Sequence, residues 1–170
     1  DNVISRVMEI FQAFPDLIFA MAIMTFMGKG VLNLFIALGL LTWVRTARMI
    51  RASVMQLKEK EYIEASRACG ASTYWIIMKG LVPNCLSTII VLVTLGIPNA
   101  IMYEASLSFL GIGIQPPTPS WGNMISAAQT FISYRPVYSI MPGVAIMITV
   151  IAFNIFGDGL RDALDPKLRG

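Results

Sequence analysis

Hydrophobic residues run through this chain in four long blocks, at about residues 11–28, 31–50, 81–104 and 137–157, separated by polar or glycine-rich breaks. A bilayer core of roughly 30 Å needs about 20 helical residues at 1.5 Å each, so each block is predicted as a membrane-crossing helix. The second is apolar from Val31 through Val44 and continues as a helix past Arg45 and Arg48. Only Lys29 and Gly30 separate it from the first, which makes the two an antiparallel pair. Pro83, Pro98, Pro142, Gly96 and Gly143 lie within the last two blocks. Such residues suit membrane helices that kink or pack closely, because neighbours re-satisfy the freed backbone groups.

The polar interval at about 58–80 has a different pattern. The run KEKEYIEASRACG is rich in good helix formers, and Tyr62, Ala65 and Cys69 recur at i, i+3, i+7, which predicts a short amphipathic helix with those residues on its less polar face. Gly70 suits the position just past its end, where positive φ is required. Ser72 can cap a second short helix over Thr73 to Lys79, and Pro83 then falls in the first turn of the third span. At about 111–135 a Gly/Pro-rich stretch precedes Ser120, which can cap a helix carrying Met124, Ala127, Ala128 and Phe131 on one face. Trp121 is placed to anchor at the headgroup level.

Composition agrees with a membrane protein. The 170 residues are 56% hydrophobic and 14% charged, against about a quarter charged in soluble domains, and the mean hydropathy is +0.69. Of the 13 Lys and Arg, all but Lys29 and Arg135 fall before the first span, from Arg45 at the end of the second span's apolar run up to the third, or after the fourth. The excess of positive charge marks the cytoplasmic side, so residues 58–80 and the C-terminus are expected inside and the 111–135 loop outside. The net charge of +3 is modest and scattered, which gives nucleic-acid binding little support. There is no histidine, and Cys69 and Cys85 form no CxxC pair, so zinc sites and His-based triads are excluded. Cys69 is expected as a reduced thiol. The chain opens at Asp1 with no signal-peptide pattern, and a piece of a longer protein is expected.

Glu64-Ala65-Ser66, then Gly70 and Val82-Pro83, resembles the EAA signature of ABC-importer permeases, departing at Ser66, Gly80 and Val82. EASLSFLGIG at 104–113, QPP at 115–117, SWG at 120–122 and FNIFGDGLRDALDP at 153–166 narrow this: the whole chain resembles the C-type permease subunit of dipeptide/oligopeptide/nickel importers. The fold implied is an all-α polytopic bundle, here with four of the family's roughly six spans. The resemblance implies a non-catalytic subunit that pairs with a homologous second permease, two cytoplasmic ATPase subunits and an extracytoplasmic solute-binding protein in a bacterial or archaeal inner membrane. ATP and Mg would be held by the ATPases; no GxxxxGK[ST] loop occurs in this chain. Peptides are the implied solutes, with nickel or other small solutes as the alternative.

By the same resemblance, residues 58–80 carry the coupling helix. Glu64 is a polar contact to the ATPase, Ala65 and Ser66 a small surface for close approach, and Gly70 with Ala71 the bend. Arg45, Arg48 and Arg51 form one helical stripe that either touches the ATPase or anchors at the interface. Asp16, beside Pro15, reads as a solvated or capping carboxylate or as a pathway residue. Glu104 and Ser106 are candidates for the pathway or gate, with interfacial exposure as the alternative for Glu104. The 11 methionines read as adaptable packing rather than a metal relay. An ion-coupled secondary transporter would be expected to carry more buried ionisable residues or paired broken helices, and an intramembrane enzyme would need a catalytic constellation within its spans.

Overall fold

Pro15 divides the first apolar block. It stands just before a helix in an extended conformation, φ −59° and ψ 130°, and the residue preceding a proline is pushed out of the α region. Helix α1 (Asn2–Gln12) therefore stops short of it and α2 (Asp16–Met27) starts after it, the two axes meeting at 95°. The computed structural model describes residues 2–164, with side chains from residue 4. Asp165 and Pro166 of the tail motif, with Lys167 and Arg169, lie outside the described residues.

The predicted single span at 11–28 is thus corrected to a bent pair. With 12 residues, α2 is only about 18 Å long. α1 is amphipathic: Met8 is buried, Phe11 stacks edge-on against Trp43 at 5.7 Å, and Arg6 pairs with Glu9 at 2.7 Å on the exposed side.

After the Gly28–Gly30 turn, closed by Asn33 Nδ2 donating to the carbonyls of Met27 (2.7 Å) and Gly28 (3.0 Å), α3 (Val31–Lys58) runs for 28 residues, well beyond the expected end near residue 50. α4 (Glu61–Ala68) follows. The next segment differs from the expected hairpin of two short helices. α5 (Thr73–Trp75), a π-helical turn (Ile76–Leu81) and α6 (Val82–Phe109) form one continuous helix, Thr73–Phe109, of 37 residues. Pro83 lacks an N–H and its ring would press on the carbonyl four residues back; the wider π-turn immediately before it relieves that conflict. α7 (Trp121–Ala128) and α8 (Val137–Leu164) complete the chain.

Three helices, Val31–Lys58, Thr73–Phe109 and Val137–Leu164, are long and apolar enough to cross a membrane, and the bent α1–α2 pair makes up to four. The architecture is an all-α polytopic bundle. α6 is its centre, packing on α2, α3, α7 and α8. One core cluster joins Ala20 and Met24 of α2, Leu34, Ala37 and Leu41 of α3 and Leu107 of α6; the two alanines let the helices approach closely. α8 crosses α6 at Gly157, where a Cβ would lie 2.6 Å from Leu95 Cδ2. Outward residues remain apolar, Phe26 being 91% exposed, as a lipid-facing surface requires.

The bundle has two distinct ends. Ile112 and Ile114, just past α6, pack on the α2–α3 cluster, so the 111–135 loop shares an end with the α2–α3 turn. α4 lies at the other end, against Val54 and Leu57 near the end of α3.

Candidate coupling site

α4 is a short polar helix held by one apolar side chain. Ile63 is 1% exposed and packs with Ile76 and Leu81 of the π-turn, with Val54, Leu57 and Ala71 at the edge. The predicted face of Tyr62, Ala65 and Cys69 is corrected: all three are exposed, and α4 is rotated so that Ile63 points inward. Tyr62 still touches the long helix through its hydroxyl, which donates to the Gly80 carbonyl at 3.3 Å. Asn84 Nδ2 donates to the same oxygen at 2.7 Å, so this carbonyl, one turn ahead of Asn84 at the π-turn, is satisfied twice. Gly80 is buried, and a Cβ on it would lie 2.8 Å from Ile63 Cδ1. One of the three residues that depart from the EAA pattern, Gly80, is therefore the one that leaves room for α4.

The bend after α4 has a defined geometry. The Gly70 N–H donates to Arg67 O at 2.9 Å and the Ala71 N–H to Ser66 O at 3.0 Å, the paired bonds of a Schellman ending, with Gly70 at φ +79°, where a Cβ would be strained. Ser72 then caps the long helix, its Oγ accepting from Trp75 N at 3.2 Å. Of the predicted coupling residues, Glu64, Ala65 and Gly70 are exposed while Ser66 and Ala71 are half-buried; the Ser66 hydroxyl donates back to Tyr62 O at 2.7 Å. Tyr74, Trp75, Ile77 and Met78 are also exposed, so a broad apolar surface adjoins α4. Sequence reasoning passed over Ile63 and this aromatic pair. A single β-branched residue among charged ones was the available signal.

The arginine stripe reaches back to the N-terminal helices. Arg45 pairs with Asp16, Arg48 donates to Gln12 Oε1 and Arg51 to Ser5 Oγ at 2.6 Å, so the stripe fastens α1 and the start of α2 to α3. Asp16 is corrected accordingly. Its carboxylate is neither a helix cap nor simply solvated: Oδ2 accepts from Arg45 and from Tyr103 Oη at 2.7 Å, joining α2, α3 and α6.

Glu104 and Ser106 are on different faces of α6 and the fold does not bring them together. Glu104 Oε1 accepts from Ser108 Oγ at 2.7 Å, and the buried Ser108 Oγ accepts from Ile114 N at 3.0 Å, which holds the loop down. Ser106 donates to Met102 O at 2.7 Å and lines an apolar groove of about 610 Å³ between α6, α7 and α8. Ser120 caps α7 as expected, accepting from Asn123 N at 3.2 Å. The buried face of α7 is Gly122 and Ala128 rather than Met124, Ala127 and Phe131; Trp121 is half-buried beside Glu104.

Membrane-length helices around a central α6, with a short polar helix packed at one end, define a polytopic membrane protein. A family model described as "Binding-protein-dependent transport system inner membrane component" matches residues 1–170, and the chain belongs to that family. It is similar to the glutathione transport system permease protein GsiD of Escherichia coli O157:H7 and to that of Shigella flexneri serotype 5b (strain 8401), each 41% identical over 170 residues. The match takes in 100% of this chain and 56% of each relative, so the chain spans just over half the length of the curated relatives it matches.

Proposed function

We propose that this chain is the core of a permease subunit of an ATP-driven importer, carrying peptide-like solutes handed over by an extracytoplasmic binding protein. It works as one half of a transmembrane pathway, with a homologous permease as the other half and two ATPase subunits beneath. The reading takes its solute class from family resemblance and from relatives named for glutathione transport. Covalent chemistry is assigned to the ATPases. The α4 end is assigned to the cytoplasm on the distribution of basic residues.

The observation that carries this reading is the seating of Ile63 against Gly80. A polar helix fixed by a buried plug to the base of a continuous 37-residue helix moves with that helix as a rigid body. A motor that grips the exposed Glu64 and Ala65 edge can therefore tilt α6 and, through it, the contacts with α2, α3 and α8. The test is ATP-driven uptake of glutathione by the full permease–ATPase complex and its binding protein in proteoliposomes. Glu64→Lys is expected to lower uptake at least ten-fold with the fold intact. Normal uptake by Glu64→Lys with the ATPases bound sinks the coupling assignment.

A further inference from the structure

Between α3 and α6 lies a groove that side chains leave open. One chamber, of about 280 Å³, is lined by Asp16, Thr42, Arg45, Thr46, Asn99 and Tyr103 together with apolar residues. A second, of about 440 Å³, shares Met49, Leu92 and Leu95 with the first and adds Gln56, Ser87, Thr88 and Arg161. The chambers adjoin, so a mostly apolar groove studded with polar side chains follows the α3–α6 contact from the Asp16 cluster toward the α4 end.

Charged groups on membrane helices normally face a bundle interior or water. Arg45 stands near the midpoint of the 28-residue α3, about 20 Å from either end. Its pairing with Asp16 also leaves capacity on both sides. Both donors to Asp16, Arg45 and Tyr103, reach Oδ2, and among the described residues Oδ1 accepts no hydrogen bond. The guanidinium has five N–H donors, and Asp16 engages Nη2. A carboxylate with an open oxygen and a guanidinium with open donors thus border one cavity, among hydroxyl and amide side chains.

We infer that this cavity is a weak binding subsite for short peptides with free termini, their ammonium group meeting Asp16 and their carboxylate meeting Arg45. The inference rests on the importer reading and names a resting point on its pathway. Weak binding is what transit requires, since a solute must enter readily and still leave. Polar groups along the second chamber continue the path.

The test uses the purified full complex in nanodiscs without binding protein, probed by saturation-transfer NMR with millimolar glutathione and trialanine. Binding of either peptide is expected, weakened at least ten-fold by Thr46→Leu or Asn99→Leu, which fill the cavity and leave the Asp16 bonds in place. Arg45→Gln is expected to weaken it similarly, and N-acetyl-trialanine amide, lacking both charges, should give no signal. Absence of peptide signal, or equal signals from the wild type and both leucine variants, overturns the subsite. If the complex imports solute yet shows no such binding, this inference alone fails. If it binds peptide in the cavity but uptake is independent of ATP, the importer reading alone fails.

Discussion

Ile63 of α4 occupies the space that a Cβ on Gly80 would need, its Cδ1 lying 2.8 Å from that position. This packing couples a polar surface helix to a membrane helix through two side chains, one of them absent. Truncating a buried isoleucine to alanine costs about 2–5 kcal/mol, so Ile63→Ala should detach α4 while the spans stay folded. Gly80→Ala should be destabilising alone, and Ile63→Val, which removes the interfering methyl, should recover part of the loss. Thermal unfolding of the purified complex measures the pair as a double-mutant cycle; strict additivity would sink the contact.

Asp16 bridges three helices, and its two donors are not equivalent. Tyr103→Phe removes a single hydrogen bond and is expected to cost on the order of 1 kcal/mol. Asp16→Asn weakens both bonds at once, because a neutral amide oxygen is a poorer acceptor than a carboxylate, and should cost more. The order of the two melting temperatures in detergent checks this.

Gly122 of α7 meets backbone rather than a side chain: a Cβ there would lie 2.3 Å from the Ala105 carbonyl oxygen. Gly122→Ala must push α7 off α6, and limited proteolysis should then cut the 111–135 loop faster. Gly143→Ala serves as the contrast, since nothing lies within 4 Å of its Cβ position. That variant should leave proteolysis unchanged.

The bend between α4 and the long helix depends on two residues with separable effects. Ser72→Ala removes an N-cap and should cost about 1 kcal/mol. Gly70→Ala places a Cβ at φ +79°, a conformation that costs about 1–2 kcal/mol for an L-residue. Local hydrogen exchange at Ser66 to Trp75 should rise in both variants with the spans unaffected.

The membrane helices were legible because length and apolar composition suffice to define them; α3, the Thr73–Phe109 helix and α8 all contain their predicted blocks. Caps were legible for a similar reason, since Ser72, Gly70 and Ser120 act within a few residues of chain. Rotation was harder. α4 has only eight residues, so Tyr62, Ala65 and Cys69 formed a plausible stripe, and the deciding partner, Gly80, lies about two turns beyond the bend. The π-turn escaped notice because it answers to Pro83 in three dimensions rather than to any propensity. The Asp16, Arg45 and Tyr103 cluster joins residues up to 87 positions apart, a distance no periodicity spans. At Pro15 a signal was present, but the surrounding apolar residues masked the break.

Docking of a motor on α4 is the central claim, and the chain carries its own reporter. Cys69 closes α4 and is exposed, whereas Cys85, the other cysteine, is buried. The decisive measurement is the rate at which a membrane-impermeant maleimide modifies Cys69 in the permease complex, with and without its ATPase subunits. The account predicts fast modification from the cytoplasmic side without them and at least ten-fold protection when they bind. Equal rates in the two states would contradict it.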